Sequence, residues 1–272
     1  MDREDGIFVD INSLMHTAGS MRQALQTLLS SVDAMTDKMD LNNAESVRDS
    51  SAALRSIYRL IRLSENLSAF SLLEKHCYPI CKVRRSVFSV VRNLAEQAAE
   101  LLAYRNIRLE LTLPERDFFG AMDPGLLRLM LWNLLANAAE HASDGKLSLR
   151  AERSGQEEIL LYLTNRAEGQ ELLETERLFD RYSRDPEDPH ARDGLGVGLR
   201  LVLDAAALHG GSLMLSSTPE GLVTAMLRLR TEKDADQEIS SPVGLPEQTL
   251  NDGLIGLSCV LPDEAFDPRD LL

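Results

Sequence analysis

Apolar residues recur at three- and four-residue steps near the start of the chain: Ile11, Leu14, Ala18, Met21, Leu25, Leu28, Val32 and Met35. That spacing lays one stripe along a helix and predicts a helix over 8–39, with Asp10 as its N-cap. "DKMDLNN" supplies a short polar connection. A second helix is expected over 44–73, where Val47, Leu54, Ile57, Leu60 or Ile61, Leu67 and Phe70 keep the spacing. Two helices of about 30 residues joined tightly form an antiparallel hairpin. One hairpin buries too little surface to stand alone, so 8–75 is expected to make a homodimer through a four-helix bundle.

"KHCYPICK" breaks that rhythm, and the chain then mixes helix and strand. Residues 83–105 read as helical. "IRLELTL" (107–113) alternates as a strand with one buried face does. "DPGLLRLMLWNLLANAAEHA" carries a proline just inside the start of a strong helix, with Trp132 expected in the core. "KLSLRAE" and "EILLYLTN" read as a strand pair around "RSGQ". "LLETERLFDRYSR" reads as a short helix, followed by the Pro-, Gly- and charge-rich loop "DPEDPHARDGLGVG". A helix over 199–208 ends at "HGG", where His209 is expected to cap or turn. "SLMLSS" and "LVTAMLRLR" make a last hairpin through "TPEG". The expected class is α+β: a helical hairpin, then an α/β sandwich over 82–230 whose mixed sheet carries helices on one face.

Charge separates the tail from the body. Net charge is −14, and the stretch from Thr231 onward holds ten acidic and two basic residues, so it carries −8 of it. Such a balance argues against nucleic acid as a main partner. The tail (231–272) is expected to be mostly mobile; its one apolar patch, "LIGLSCVL", reads as an added strand or a docking segment. A mean hydropathy of −0.17 and the absence of an apolar run of about 18 residues argue against membrane insertion. The acidic N-terminus lacks the pattern of a signal peptide, which predicts a cytoplasmic protein. The three cysteines, Cys77, Cys81 and Cys259, suit a reducing compartment. "HCYPIC" places His76 beside two of them, but without a second ligand cluster it reads as incidental thiols rather than a metal site.

The chemistry gathers in the second half. Asn133 and Asn137 stand at i, i+4 on one helix face, and a neutral amide oxygen suits a magnesium ion that already carries phosphates and water. "DGLGVGL" then opens a helix, where Gly194, Gly196 and Gly198 allow backbone N–H groups to approach phosphate at the positive helix end.

This order resembles the dimerisation and ATP-binding domains of sensor histidine kinases, over about residues 8–230. "RLIRLSENLSAFSLLE" is similar to the end of the family's second hairpin helix, "LTLPER" and "DPGLLRLMLWNLLANAAEHA" to its central signatures, and "HGGSLMLSSTPEGLVTAMLRL" to its closing strands. The resemblance implies ATP and Mg2+ as cofactors and Asn137 as the magnesium ligand. It places Asn133 near the phosphates, where hydrolytic relatives carry a glutamate base. Glu140 and His141 would flank the pocket entrance. Arg181, Arg184 and Arg192 would lie in or beside the lid, where they can meet phosphate charge.

Two segments depart from the family pattern. The family's Asp-x-Gly-x-Gly motif, whose aspartate accepts from the adenine amino group, is "NRAEGQ" here, with Asn165, Ala167 and Gly169. An amide still accepts that bond, without charge assistance, at a cost of about 1–2 kcal/mol or about tenfold in affinity. The phosphorylated histidine of the family is followed by an acid, then arginine and proline. Here His16 is followed by Thr17, Gly19 and Met21, and Thr17 cannot act as a base near neutral pH. His16 therefore reads either as the phosphoacceptor or as a surface histidine. The implied function is a histidine kinase passing phosphate from Mg-ATP through His16 to a response-regulator receiver domain. The alternative is an inactive nucleotide-binding scaffold that regulates a partner. An ATPase clamp is disfavoured, because Asn133 replaces the base. No sensory domain is expected before the hairpin, so input would come from a separate sensory partner, the tail or the bundle itself.

Overall fold

The computed structural model describes residues 11–36, 43–167, 197–231 and 252–271, without the side chains of 11–18 and 33. Helix α1 (Ile11–Thr36) and helix α2 (Ala44–Glu74) form the hairpin. Asn43 caps α2, its side chain accepting from the N–H groups of Glu45 and Ser46. Leu25 and Leu29 of α1 and Leu54, Ile57 and Ile61 of α2 are buried, and an Arg22–Glu65 ion pair fixes the antiparallel register. No described helix is long and apolar enough to cross a membrane.

Residues 83–105 are not one helix. Val83–Ser86 forms strand β1, and helix α3 (Val87–Leu102) starts only where Ser86 caps it by accepting from Ser89 N–H. Strand β1 pairs antiparallel with β3 (Phe119–Met122), a two-stranded ribbon apart from the main sheet. Four residues are too few for period-two alternation to stand out from the apolar run that follows.

Among the described residues the main sheet has five strands in the order β2 (Arg108–Thr112), β4 (Lys146–Ser154), β5 (Glu158–Arg166), β7 (Leu222–Arg230), β6 (Ser212–Ser217). Only the β2–β4 pair is parallel. Alternate residues of β4 (Leu147, Leu149, Ala151), β5 (Ile159, Leu161, Leu163) and β7 (Ala225, Leu227, Leu229) are buried, as a one-sided sheet requires. The other face is polar: Tyr162 donates to Glu152 at 2.8 Å, and Thr164 meets Thr224 at 3.0 Å across strands. Helices α3, α4 (Pro124–His141) and α5 (Val197–Leu208) cover the apolar face. Helix α4 is apolar on nearly every side because it lies between the sheet and other helices.

The start of α4 is tied to the interdomain connection. Asp123 caps the helix with Oδ1, which accepts from Leu126 N–H at 3.0 Å. Its Oδ2 accepts from Cys81 N–H at 2.8 Å. Asp123→Ala therefore strands two N–H groups and is expected to cost about 2 kcal/mol in urea denaturation, against about 1 for an ordinary cap. Asp123→Asn keeps the cap and loses the second acceptor, so its midpoint should fall between the two.

The tail departs most from expectation. Residues 252–271 fold as helix α6 (Asp252–Leu257), a 3-10 turn (Asp263–Phe266) and helix α7 (Pro268–Leu271). The "LIGLSCVL" patch docks as helix, not strand, against α2, α3 and α4. Leu254, Leu257 and Leu261 of the patch and Phe266 of the 3-10 turn are almost wholly buried.

Candidate functional site

The amides sit where two domains meet. Asn133, on the third turn of α4, is buried, and Asn137 one turn later is half-buried. Gly198, in the first turn of α5, comes so close that a Cβ there would lie 3.1 Å from Asn133 Oδ1. Asn165 continues the inward-facing series of β5 after Leu163 and is itself buried. The C-terminal end of α4 reaches the same strand end, because Ser143 N–H and Oγ both donate to Arg166 carbonyl, at 2.8 and 3.1 Å. Thus β5 and the start of α5 both converge on α4, Gly198 at Asn133 and the end of β5 at the residues that follow the helix. Gly169, Arg181, Arg184, Arg192, Gly194 and Gly196 lie outside the described residues.

The structure adds two residues that spacing did not reveal. Asn66 of α2 forms a reciprocal amide pair with Asn133: Asn66 Nδ2 donates to Asn133 Oδ1 at 3.0 Å, and Asn133 Nδ2 donates back at 3.2 Å. Asn133 Nδ2 also donates to Leu129 carbonyl at 2.9 Å. Arg62 of α2 donates to Asn133 Oδ1 at 3.4 Å and to Cys259 Sγ at 2.6 Å. The Asn133 amide is therefore saturated by the hairpin and its own helix. The signal was present in sequence as a second face of α2, where Tyr58, Arg62 and Asn66 recur every four residues. It is not apolar, so the hydrophobic stripe did not reveal it.

His16 lies on the backbone of α1. The Arg22–Glu65 pair puts it level with about residue 71 of α2, roughly 8 Å along the hairpin axis from Asn66 at 1.5 Å per residue. His16 thus lies toward the end of the hairpin from which the chain continues into the α/β domain. Burial raises the Cys259 thiol pKa, with Arg62 opposing it, so the thiol stays protonated near neutrality. Cys77 and Cys81 are exposed free thiols. Tyr78 in the connection is pushed up to about 12 by burial and by the nearby Asp123 charge.

Residues 122–233, which hold α4, β5 and α5, match the family described as histidine kinase-, DNA gyrase B- and HSP90-like ATPase. Over 244 residues, 87% of this chain, the sequence is 25% identical to the sensor histidine kinase WalK of Bacillus subtilis (strain 168). In sequence and in fold the chain is similar to sensor histidine kinases. It is also 36% identical to the sensor-type histidine kinase PrrB of Mycobacterium tuberculosis (strain ATCC 25618 / H37Rv) over 108 residues, 39% of this chain. Among solved structures, full-length ShkA in complex with AMPPNP superposes with a TM-score of 0.65 over 84% of this chain at 18% identity, which shows the shared fold. The chain spans less than half of each: 38% of WalK, 23% of PrrB and 47% of ShkA.

Proposed function

We propose that this protein binds Mg-ATP at the α4–β5–α5 convergence, phosphorylates His16, and passes the phosphoryl group to a response-regulator aspartate. The observation that carries the reading is the approach of Gly198 to Asn133 at the start of α5. A side chain there would fill the space through which backbone N–H groups reach phosphate. Asn137, one turn on and half-buried, presents the amide oxygen suited to the magnesium ion. Asn165 would accept from the base. Bound Mg-ATP supplies the phosphoryl group and neutralises its charge; the chain's own residues position it. Gly169, Arg181, Arg184, Gly194 and Gly196 would complete the phosphate and base contacts. A dimer through 8–75 is supported by Met21, Leu28 and Met35, which recur every seven residues along α1 and are exposed.

The second reading, an inactive nucleotide-binding regulator, is favoured by Thr17 in place of an acid and by the saturation of Asn133. Incubation with magnesium and γ-labelled ATP separates the two. The kinase predicts acid-labile label that disappears in His16→Ala. No label, with nucleotide raising the melting temperature, supports the regulator. No stabilisation by any nucleotide would sink the nucleotide site itself.

A further inference from the structure

Residues 252–271 touch both halves of the molecule at once. On α2, Arg55 Nη1 pairs with Asp263 Oδ1 at 3.0 Å, Tyr58 packs on Phe266 with ring centroids 5.5 Å apart, and Arg62 donates to Cys259 Sγ. On α4, Arg128 pairs with Asp252 at 3.0 Å, and Gly256 lies against Trp132. The N–H groups of Ser258, Val260, Leu261, Ala265 and Asp270 donate to carbonyls within the segment. It can therefore leave without opening a strand pairing of the sheet.

We propose that this C-terminal segment is an intramolecular latch, which clamps α2 onto α4 so that Asn66 and Arg62 hold the Asn133 amide. Latch docking and nucleotide occupancy then oppose each other, since the face of α4 that serves phosphate is the face the clamped hairpin covers. This coupling rests on the nucleotide reading of Asn133; the docking does not. By linkage, whatever weakens the latch strengthens nucleotide binding, and nucleotide weakens the latch by the same factor. Burial of Leu254, Leu257, Leu261 and Phe266 gives the latch its hold, and the ion pairs at its rim fix its register.

Gly256 offers a way to open it without altering α2 or α4. A Cβ at Gly256 would come 2.6 Å from Trp132 Cγ and 2.7 Å from Cδ2, so Gly256→Val cannot dock. Trp132 is the sole tryptophan of the chain, so its emission reports docking directly. In the full-length protein, Gly256→Val should shift Trp132 emission to the red, and a synthetic peptide of residues 249–271 should reverse the shift. Nucleotide affinity of the variant should rise about fivefold or more, and the peptide should lower it again. In the wild-type chain, which needs no substitution, Cys259 should alkylate far more slowly than Cys77 and Cys81, and Mg-ATP should accelerate it. A red shift with unchanged or weaker nucleotide affinity overturns the coupling and leaves the nucleotide site standing. Nucleotide binding by neither protein removes that site and the coupling with it. Cys259 reacting as fast as the two exposed thiols overturns the docking itself.

Discussion

Gly211→Ala is expected to cost at least about 3 kcal/mol and to leave little folded protein at 37 °C. Gly211 follows α5 and leads into β6, and its N–H donates back to Ala206 carbonyl at 2.9 Å. A Cβ there would lie 1.9 Å from the carbonyl oxygen of Arg228, 2.8 Å from its carbon and 3.0 Å from Leu229 Cα. All three are backbone atoms of β7. That strand is paired on both sides, with β5 from Glu158↔Arg230 and with β6 from Ser212↔Arg228. It cannot retreat without breaking ladder hydrogen bonds, so the clash has no cheap relief. Gly19 on α1 is the control: nothing lies within 4 Å of its would-be Cβ. Gly19→Ala should stabilise by about 0.5–1 kcal/mol through helix propensity. Denaturant midpoints at constant slope measure both. A loss under 1 kcal/mol for Gly211→Ala would contradict the close approach of the α5–β6 turn to β7.

What the sequence disclosed and what it hid follow the range of the interactions. The long helices α1 and α2, the β4–β5 hairpin and α4 were legible because each writes a local period many residues long. Asn165 was named only through the family resemblance, and the structure adds that it is the next inward position of the alternating strand β5. Ribbon β1–β3 was not, because Val83–Ser86 is short and pairs across 30 or more residues with Phe119–Met122. Docking of the tail was one of two readings of its apolar patch, but where it docks was hidden because its partners are tertiary. Gly256 is one small residue in an apolar patch until Trp132 is placed above it. The pair Asn133 and Asn137 was read as one polar face, and the structure divides them. Asn133 is spent on a partner 67 residues earlier, while Asn137 is left half-buried.

That division makes Asn66 and Asn133 separable by experiment. Asn133→Ala deprives the buried Asn66 of a donor and an acceptor together, and should cost about 2 kcal/mol. Asn66→Ala is gentler. The Asn133 amide keeps its bond to Leu129 carbonyl, and its oxygen can still take Arg62, so about 1 kcal/mol is expected. The double variant should cost less than the sum of the two by about 1 kcal/mol, the mark of residues that bond each other. Nucleotide affinity should split the pair the opposite way. Asn133→Ala removes the amide from the proposed phosphate face and should weaken binding. Asn66→Ala only frees that amide from the hairpin and should leave binding equal or tighter. Additive costs would mean that the amides do not face each other. Equal weakening of nucleotide binding by both would mean that the hairpin amide assists the phosphate site, reversing the sense in which α2 acts on α4.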